Sequence, residues 1–436
     1  MTVLPSRNVR AQDDSLLSKA VLGEVRKLIY VRAPNDRYPL GRLSHKAKAK
    51  EAGDYRIYWG EYTKPVMQGS FTAGQIFTDV AATQAYVAAA SPVGTVVYVR
   101  MSDALASEFI PHSHVLLCRT DNYLFNKTLE VLSVHIGGTN NSVVGMRLLE
   151  VGSLANPLTQ CNFIKNIGTV FGDVANRPDI IARDAEEYEQ FLQIERTTYG
   201  VSERKMKQKL RMSITGDPLE DERRKAMWDH MLKLERKFLN ATKSRTMEEG
   251  HPKTTCDGLL TMAYKYGQVR QLHRMPRYKG AWSAYGKKAM SDTLAETSLY
   301  GPRDVLGLCG AGALAALSEA AEDWGNVSLN PGKSAWGLDV NKWVHPSRTI
   351  NLLSYAEFTA DPLLFNSILL LNEEELEYWY YEDTHYRPDP RRLRRSGGHV
   401  SITQYVEEWF TDAALVHVSP KDLVVLHGVG LLSETP

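Results

Sequence analysis

Several stretches of the sequence hold residue types that catalysis or ligand binding would use. His112-Ser113-His114, with Cys118 close behind, offers two imidazoles and a thiol of the kind that holds zinc. No further ligand follows at a suitable spacing, so these residues read as structural, at a strand entrance. Asp383-Thr384-His385 lies among Tyr378, Trp379, Tyr380, Tyr381 and Tyr386 and would supply a base beside an aromatic platform. Aromatic residues at this density fit packing or subunit contact better, because Tyr, Trp and Arg dominate interfaces. DVLGLCGAGALAALSEAAED runs from strand into glycines into helix, as dinucleotide-binding units do. Its glycines, Gly307, Gly310 and Gly312, read GxxGxG rather than GxGxxG, and Glu319, Glu322 and Asp323 fall within the helix. Gly332-Lys333-Ser334 resembles the end of a phosphate-binding loop, but Val327 takes the place of its first glycine. There is no G-x-S-x-G elbow, no HExxH helix and no evident acid/base pair of carboxylates. The expectation is therefore no catalytic residue, no cofactor and no metal.

The most specific charged feature is Arg391, Arg392, Arg394 and Arg395. It reads either as a solvated loop or as a loop that pairs with acids of a neighbouring subunit or faces phosphate. The bulk balance is close to neutral, +1 over 436 residues, which argues against a dedicated nucleic-acid binder. Hydrophobic content of 43% and charged content of 24% suit a globular chain of two or three domains. Cys118, Cys161, Cys256 and Cys309 are far apart and form no CxxC pair, so reduced thiols are expected. The N-terminus lacks an apolar signal core, and no apolar run is long enough to span a membrane.

The elements that must position these residues are organised around one stretch. Asp217 to Arg245 predicts a single long helix, with Asp217 as cap, Pro218 in the first turn and acids ahead of bases. Leu219, Met227, Met231, Leu234, Phe238 and Ala241 form an apolar stripe, widened by Trp228, Leu232 and Leu239. Arg223, Arg224, Lys233 and Arg236 then fall on a face expected to be free. Residues 1–70 read as a polar, basic arm, with a short helix over Leu16–Tyr30 and a solvated SHKAKAKE. Gln75–Ala90 predicts another short helix. Pro92–Val151 has the alternation of strands. NFIKNIGTVFGDV and EEYEQFLQIERTTYG are extended segments. Asp304–Cys309, Lys342–Val344, Ile350–Tyr355 and Ser367–Asn372 predict strands, Ser291–Tyr300 and Gly310–Asp323 helices, and DLVVLHGVGLL a last strand. The fold class is α+β. A long strut and arm would leave apolar faces and edges that need partners.

At this point the sequence resembles the tailed-phage major capsid proteins of the Hong Kong 97 fold, in the branch with a small β-subdomain. The resemblance rests on four segments: MWDHMLKLERKFLNATKSR followed by TTCDGLLTM, RDVLGLCGAGALAALSEAAE, AWGLDVNKWVHPSRTINLLSYAEF, and LLLNEEELEYWYYEDTHYRPD. Together they span about 200 to 390. Ser347-Arg348-Thr349 stands where the family has a glycine turn, and Asn372-Glu373 where it has Asp-Pro.

The resemblance implies residues 1–70 as N-terminal arm and 71–159 as a β-rich subdomain with peripheral-domain elements. It implies 160–210 as extended loop and 211–290 as peripheral domain with spine helix 217–245. Residues 291–436 would be an axial domain lining the capsomer centre, with strands returning to the peripheral domain. Arm and loop are expected to lie apart from the subunit core. The implied function is self-assembly into hexamers and pentamers of an icosahedral shell around double-stranded DNA. Portal, scaffold and decoration proteins would be partners, and no membrane. The shell would belong to the virion and assemble in the host cytoplasm. Arg391, Arg392, Arg394 and Arg395 are candidate intersubunit or DNA-facing contacts. An encapsulin-like nanocompartment shell and an oligomeric α/β enzyme remain as alternatives.

Overall fold

A computed structural model of the chain describes residues 40, 47–62, 67–87, 92–137, 141–150, 158–171, 185–202, 218–298, 301–324, 330–333, 339–388 and 404–434. The run Arg391–Arg395, the stretch Leu16–Tyr30 and Asp217 lie outside the described residues. The chain divides into two units: Met1–Glu61 with Glu187–Pro436, and Tyr62–Glu186.

The first unit holds a seven-stranded mixed sheet. Its order is Gln268–Gln271, Val424–His427, Ser367–Leu371, Asp304–Cys309, Thr349–Ser354, Asp339–Val344, Asn330–Lys333. Every side chain of Ser367–Leu371 is buried, because helices cover both faces. That is why these strands read as continuous apolar runs rather than alternating ones. On one face Leu306, Leu308, Leu353, Leu369 and Val425 meet the long helix Pro218–Asn240 and the short helix Leu259–Lys265. On the other, Val305, Ile350, Leu352, Ile368 and Leu426 meet helices Trp282–Thr297 and Ala311–Trp324.

A second sheet in this unit is four-stranded, in the order Lys48–Glu51, Leu376–Arg387, Gln404–His417, Gln193–Ser202. The long helix packs across its last two strands. Two small ladders complete the unit. Arg56–Glu61 pairs with Glu186–Phe191, and Ser244–Glu248 pairs with His251–Thr255. The second of these is a hairpin whose turn residues Glu249 and Gly250 have φ of 50° and 83°, the signature of a type I′ turn.

The second unit is one antiparallel sheet of seven strands, ordered Gln68–Ser70, Phe163–Thr169, Ser113–Arg119, Asn122–His135, Ser142–Leu148, Val96–Met101, Ile76–Phe77. Alternate residues point to its core, among them Val97, Val99, Val115, Leu117, Val144 and Met146. Both edge strands are very short, which blunts edge-to-edge association.

Several expectations change. The long helix ends at Asn240, not Arg245, because Gly258 brings the next helix onto its end. Gly258 N–H donates to Ala241 O at 2.8 Å, and a Cβ on Gly258 would lie 2.4 Å from the Leu239 carbonyl. Lys243 N–H then donates to Asp257 Oδ1 at 2.7 Å, and Ser244–Glu248 is strand. The helix expected over Gln75–Ala90 is absent from its described residues, 75–87. Ile76–Phe77 pairs there with Val99 and Tyr98, and Asp79 accepts the Thr83 and Gln84 N–H groups. Phe163–Thr169, placed in an extended loop, is a strand of the second unit's sheet. The arm and loop are not apart from the core where they are described. Leu40, Ala47, Ala52, Ile57 and Leu192 all belong to the core cluster under the long helix.

Candidate assembly surface and its supporting network

The long helix meets the four-stranded sheet through polar side chains. His230 is fully buried, with Nδ1 3.1 Å from Thr197 Oγ1 and Nε2 2.8 Å from Thr411 Oγ1. Thr411 in turn contacts Thr384 Oγ1 at 2.8 Å, and Lys233 Nζ donates to Thr197 Oγ1 at 3.3 Å. Burial pushes the His230 imidazole down to about 4, so it is neutral, with one nitrogen donating and the other accepting.

Two turns toward the helix start, Glu407 is buried and accepts from the Tyr199 hydroxyl at 2.6 Å and from Arg223 Nη2 at 3.2 Å. Arg223 also donates to the Tyr386 hydroxyl at 3.2 Å and lies 4.6 Å over that ring. Burial alone would raise the Glu407 carboxyl. Hydrogen bonds from Tyr199, Tyr386 and Arg223 outweigh it and hold the group below the usual range. Lys237 lies 2.5 Å from Glu195, and Arg236 pairs with Glu357 at 3.1 Å. The face expected to be free is therefore engaged. Arg223 and Lys233 support the sheet, Arg236 reaches Glu357, and Arg224 pairs with Glu220 on its own helix.

The residues that the sequence offered for chemistry make hydrogen bonds within the chain. Asp383 accepts the Tyr378 hydroxyl at 2.9 Å and the Thr384 N–H at 2.7 Å. His385 sits between Asp383 O at 2.8 Å and Arg387 Nε at 3.0 Å. His112 Nδ1 lies 3.2 Å from Glu130, which also binds Arg147. Among the described residues no three His, Cys, Asp or Glu side chains are placed to hold a metal ion, and no helix is long and apolar enough to cross a membrane. The glycine run before helix Ala311–Trp324 makes room for protein rather than phosphate. A Cβ on Gly310 would lie 2.3 Å from Phe365 O, and one on Gly312 would lie 2.4 Å from the Phe365 ring.

Two Ser–His contacts escaped the sequence reading, because their partners are about 54 and 60 residues apart. Ser367 Oγ is 2.7 Å from His427 Nδ1, and Ser291 Oγ is 2.9 Å from His345 Nε2. Ser367 is 1% exposed, at the start of an interior strand, so no substrate reaches its hydroxyl.

The surface that stands out lies at one end of the seven-stranded sheet. Asp304–Cys309 and Thr349–Ser354 run parallel, and Val424–His427 joins them through Ser367–Leu371. Their C-terminal ends meet the loops 361–366 and 428–433. Val429 N–H donates to Asn366 O at 3.0 Å and ties these loops together. Leu363 is 85% exposed and Leu432 71%, with Phe365 and Leu431 also exposed. Between Pro362 and Asn366, and between Gly428 and Ser433, there is no charged residue.

The family model of the SU10 major capsid protein matches residues 168–411, more than half of the chain. The chain belongs to that family. The matched span of this capsid protein takes in the long helix, all of the Glu407 and His230 network, and six of the seven strands of the mixed sheet. No curated protein is significantly similar. Solved structures that the chain is similar to include the capsid of an empty GTA particle, at 8% identity, 96% of this chain, 99% of that chain and a TM-score of 0.38. The capsid of Myoviridae phage XM1 is similar at 12% identity over 59% and 80% of the two chains, with a TM-score of 0.35. The SrpI encapsulin of Synechococcus elongatus PCC 7942 is similar at 15% identity over 57% and 77%, with a TM-score of 0.37. The family assignment rests on the family model and not on these distant likenesses.

Proposed function

We propose that this capsid protein assembles with copies of itself into hexamers and pentamers, which close into an icosahedral shell around the double-stranded DNA of a tailed phage. The match over 168–411 carries the reading. The uncharged stretches 362–366 and 428–433, with Leu363, Phe365, Leu431 and Leu432, support it, since exposed apolar area at one end of a subunit suits repeated contact between copies. In this reading residues 291–436 supply the axial part, with those loops turned toward the capsomer centre. Arg391, Arg392, Arg394 and Arg395 face acids of a neighbour or DNA phosphate. A net charge of +1 lets copies pack closely, and counterions neutralise most of the phosphate. Portal, scaffold and decoration proteins join the shell, which forms in the host cytoplasm and leaves in the virion. The role is structural, with no reaction assigned.

Expression alone, or with a scaffold, tests the reading. Negative-stain images should show shells, tubes or capsomers. A uniformly monomeric species in sedimentation would overturn it.

A further inference from the structure

Two histidines lie where the chain leaves strand Val424–His427 for the exposed apolar loop that follows. His427 closes that strand. Its Nδ1 is 2.7 Å from Ser367 Oγ, and its Nε2 is 3.0 Å from the Tyr264 hydroxyl. Ser367 Oγ reaches on to the Leu363 carbonyl oxygen at 3.5 Å. One imidazole thus links helix Leu259–Lys265, the buried start of Ser367–Leu371 and the loop 361–366. Both of its nitrogens face hydroxyls, not carboxylates.

His273 holds the two ends of the segment 428–434. Gly428 has a φ of 77°, and a Cβ there would run into the His273 ring at Nδ1. That nitrogen is buried and makes no hydrogen bond. At the far end, Glu434 N–H donates to His273 O at 2.9 Å, and Glu434 Oε1 lies 3.4 Å from His273 Nε2. Between these ends Asn366 O accepts from Val429 N–H, and Leu431 O accepts from the Tyr285 hydroxyl. The exposed Leu431 and Leu432 ride on this segment.

Charge on His427 is opposed twice in this arrangement. Burial lowers its pKa, and the nearby His273 charge lowers it further. The groups around it offer little compensation. Across the strand pair it meets Gln271, next to the cationic Arg270. Asp361 acts on the Tyr264 hydroxyl, and Glu434 is engaged by Arg274 Nε at 2.7 Å as well as by His273. A group whose pKa is lower in the closed form takes up its proton more readily once the segment opens. The closed form is therefore favoured fully above the ordinary histidine range and loses ground as pH falls.

We propose that His427, with His273 beside it, is an acid-sensitive latch: neutral, it keeps the loops 361–366 and 428–434 closed, and charged, it lets them open. The latch belongs to the single subunit. Its consequence for contact between copies rests on the reading of this end as an assembly surface.

Hydrogen exchange of the unassembled full-length subunit, corrected for the intrinsic pH dependence of exchange, tests the latch. Between about pH 7.5 and about pH 5, protection at 361–366 and 428–434 should fall roughly tenfold, as one coupled proton allows per pH unit. The interior strand Asp304–Cys309 should keep its protection and so exclude global unfolding. His427→Gln should make protection of the two loops independent of pH, and His273→Gln should lessen the loss by removing the opposing charge. No loss in the wild-type protein, or the same loss in His427→Gln, would overturn the latch. Should His427→Gln fail to fold, an unchanged loss in His273→Gln would overturn the coupling of the two imidazoles. Particle yield at the two pH values separates the two readings: loops that open in acid while assembly proceeds unchanged would uphold the latch and overturn only the role of this end in assembly.

Discussion

The Nε2 atom of His230 lies 2.8 Å from the hydroxyl oxygen of Thr411, joining the middle of the long helix to the longest strand of the four-stranded sheet. The bond is made by a neutral imidazole that solvent does not reach. Its pKa in the folded chain is about 4, below an ordinary value of 6.5. His417, also buried, is pushed to about 4 by burial. Between these values the unfolded chain binds protons that the folded chain refuses, so the stability that neutral histidine provides is lost as pH falls from about 6.5 toward 4. Unfolding of the unassembled subunit should show this loss, worth up to roughly 3 kcal/mol per histidine at 1.36 kcal/mol per pKa unit. His230→Gln should lower the pH slope by about one proton. An unchanged slope would mean that His230 is charged in the folded protein.

Asp412 works in the opposite sense. Burial, then the nearby Glu382 charge, raises it to about 6 from 3.8. A raised carboxyl favours the folded state below about 3.8 and costs stability once pH climbs through 6. Asp412→Asn should therefore stabilise the subunit at pH 7 by about 1–2 kcal/mol and have little effect at pH 4. Thermal unfolding at the two pH values separates these outcomes.

Glu407 should be costly to remove alone. Glu407→Ala leaves Arg223 half-buried against two tyrosines without its carboxylate, an expected loss of about 3–5 kcal/mol. Combining it with Arg223→Met should cost less than the sum of the single changes, because the two residues share one network. Denaturant midpoints for the four proteins form the cycle that checks this.

Gly310→Ala should destabilise the subunit by at least about 2 kcal/mol. The added methyl would press on the Leu364 and Phe365 carbonyl oxygens, 2.6 and 2.3 Å away, and backbone cannot yield as a side-chain tip can. A near-wild-type melting temperature would show that the loop 361–366 can move aside.

Assembly and folding should separate at the apolar loops and the arginine run. Leu363→Asp with Leu432→Asp should leave the melting temperature of the subunit within a few degrees and sharply reduce particle yield. Replacing Arg391, Arg392, Arg394 and Arg395 with Ala should reduce capsomer assembly or retained DNA. Normal particle yield and genome content would return the run to a solvated loop.

By itself the sequence determined the parts whose burial follows from their own pattern. The runs Val305–Cys309 and Ile368–Leu371 are legible because strand residues buried on both faces are apolar in succession. Helix Ala311–Trp324 and the long helix are legible from their periodicity, and the four matching segments already pointed to the capsid family. Only the tertiary structure decided which face of the long helix is inside. Arg223, His230 and Glu235 look solvent-facing in a one-dimensional pattern, since a polar side chain is buried only where a partner is supplied. Their partners Glu407, Thr411 and Tyr355 lie 184, 181 and 120 residues away. No local spacing encodes such a meeting. The same reason hid the seat of Leu40, whose backbone N–H is held by a carboxylate 195 residues later in the chain.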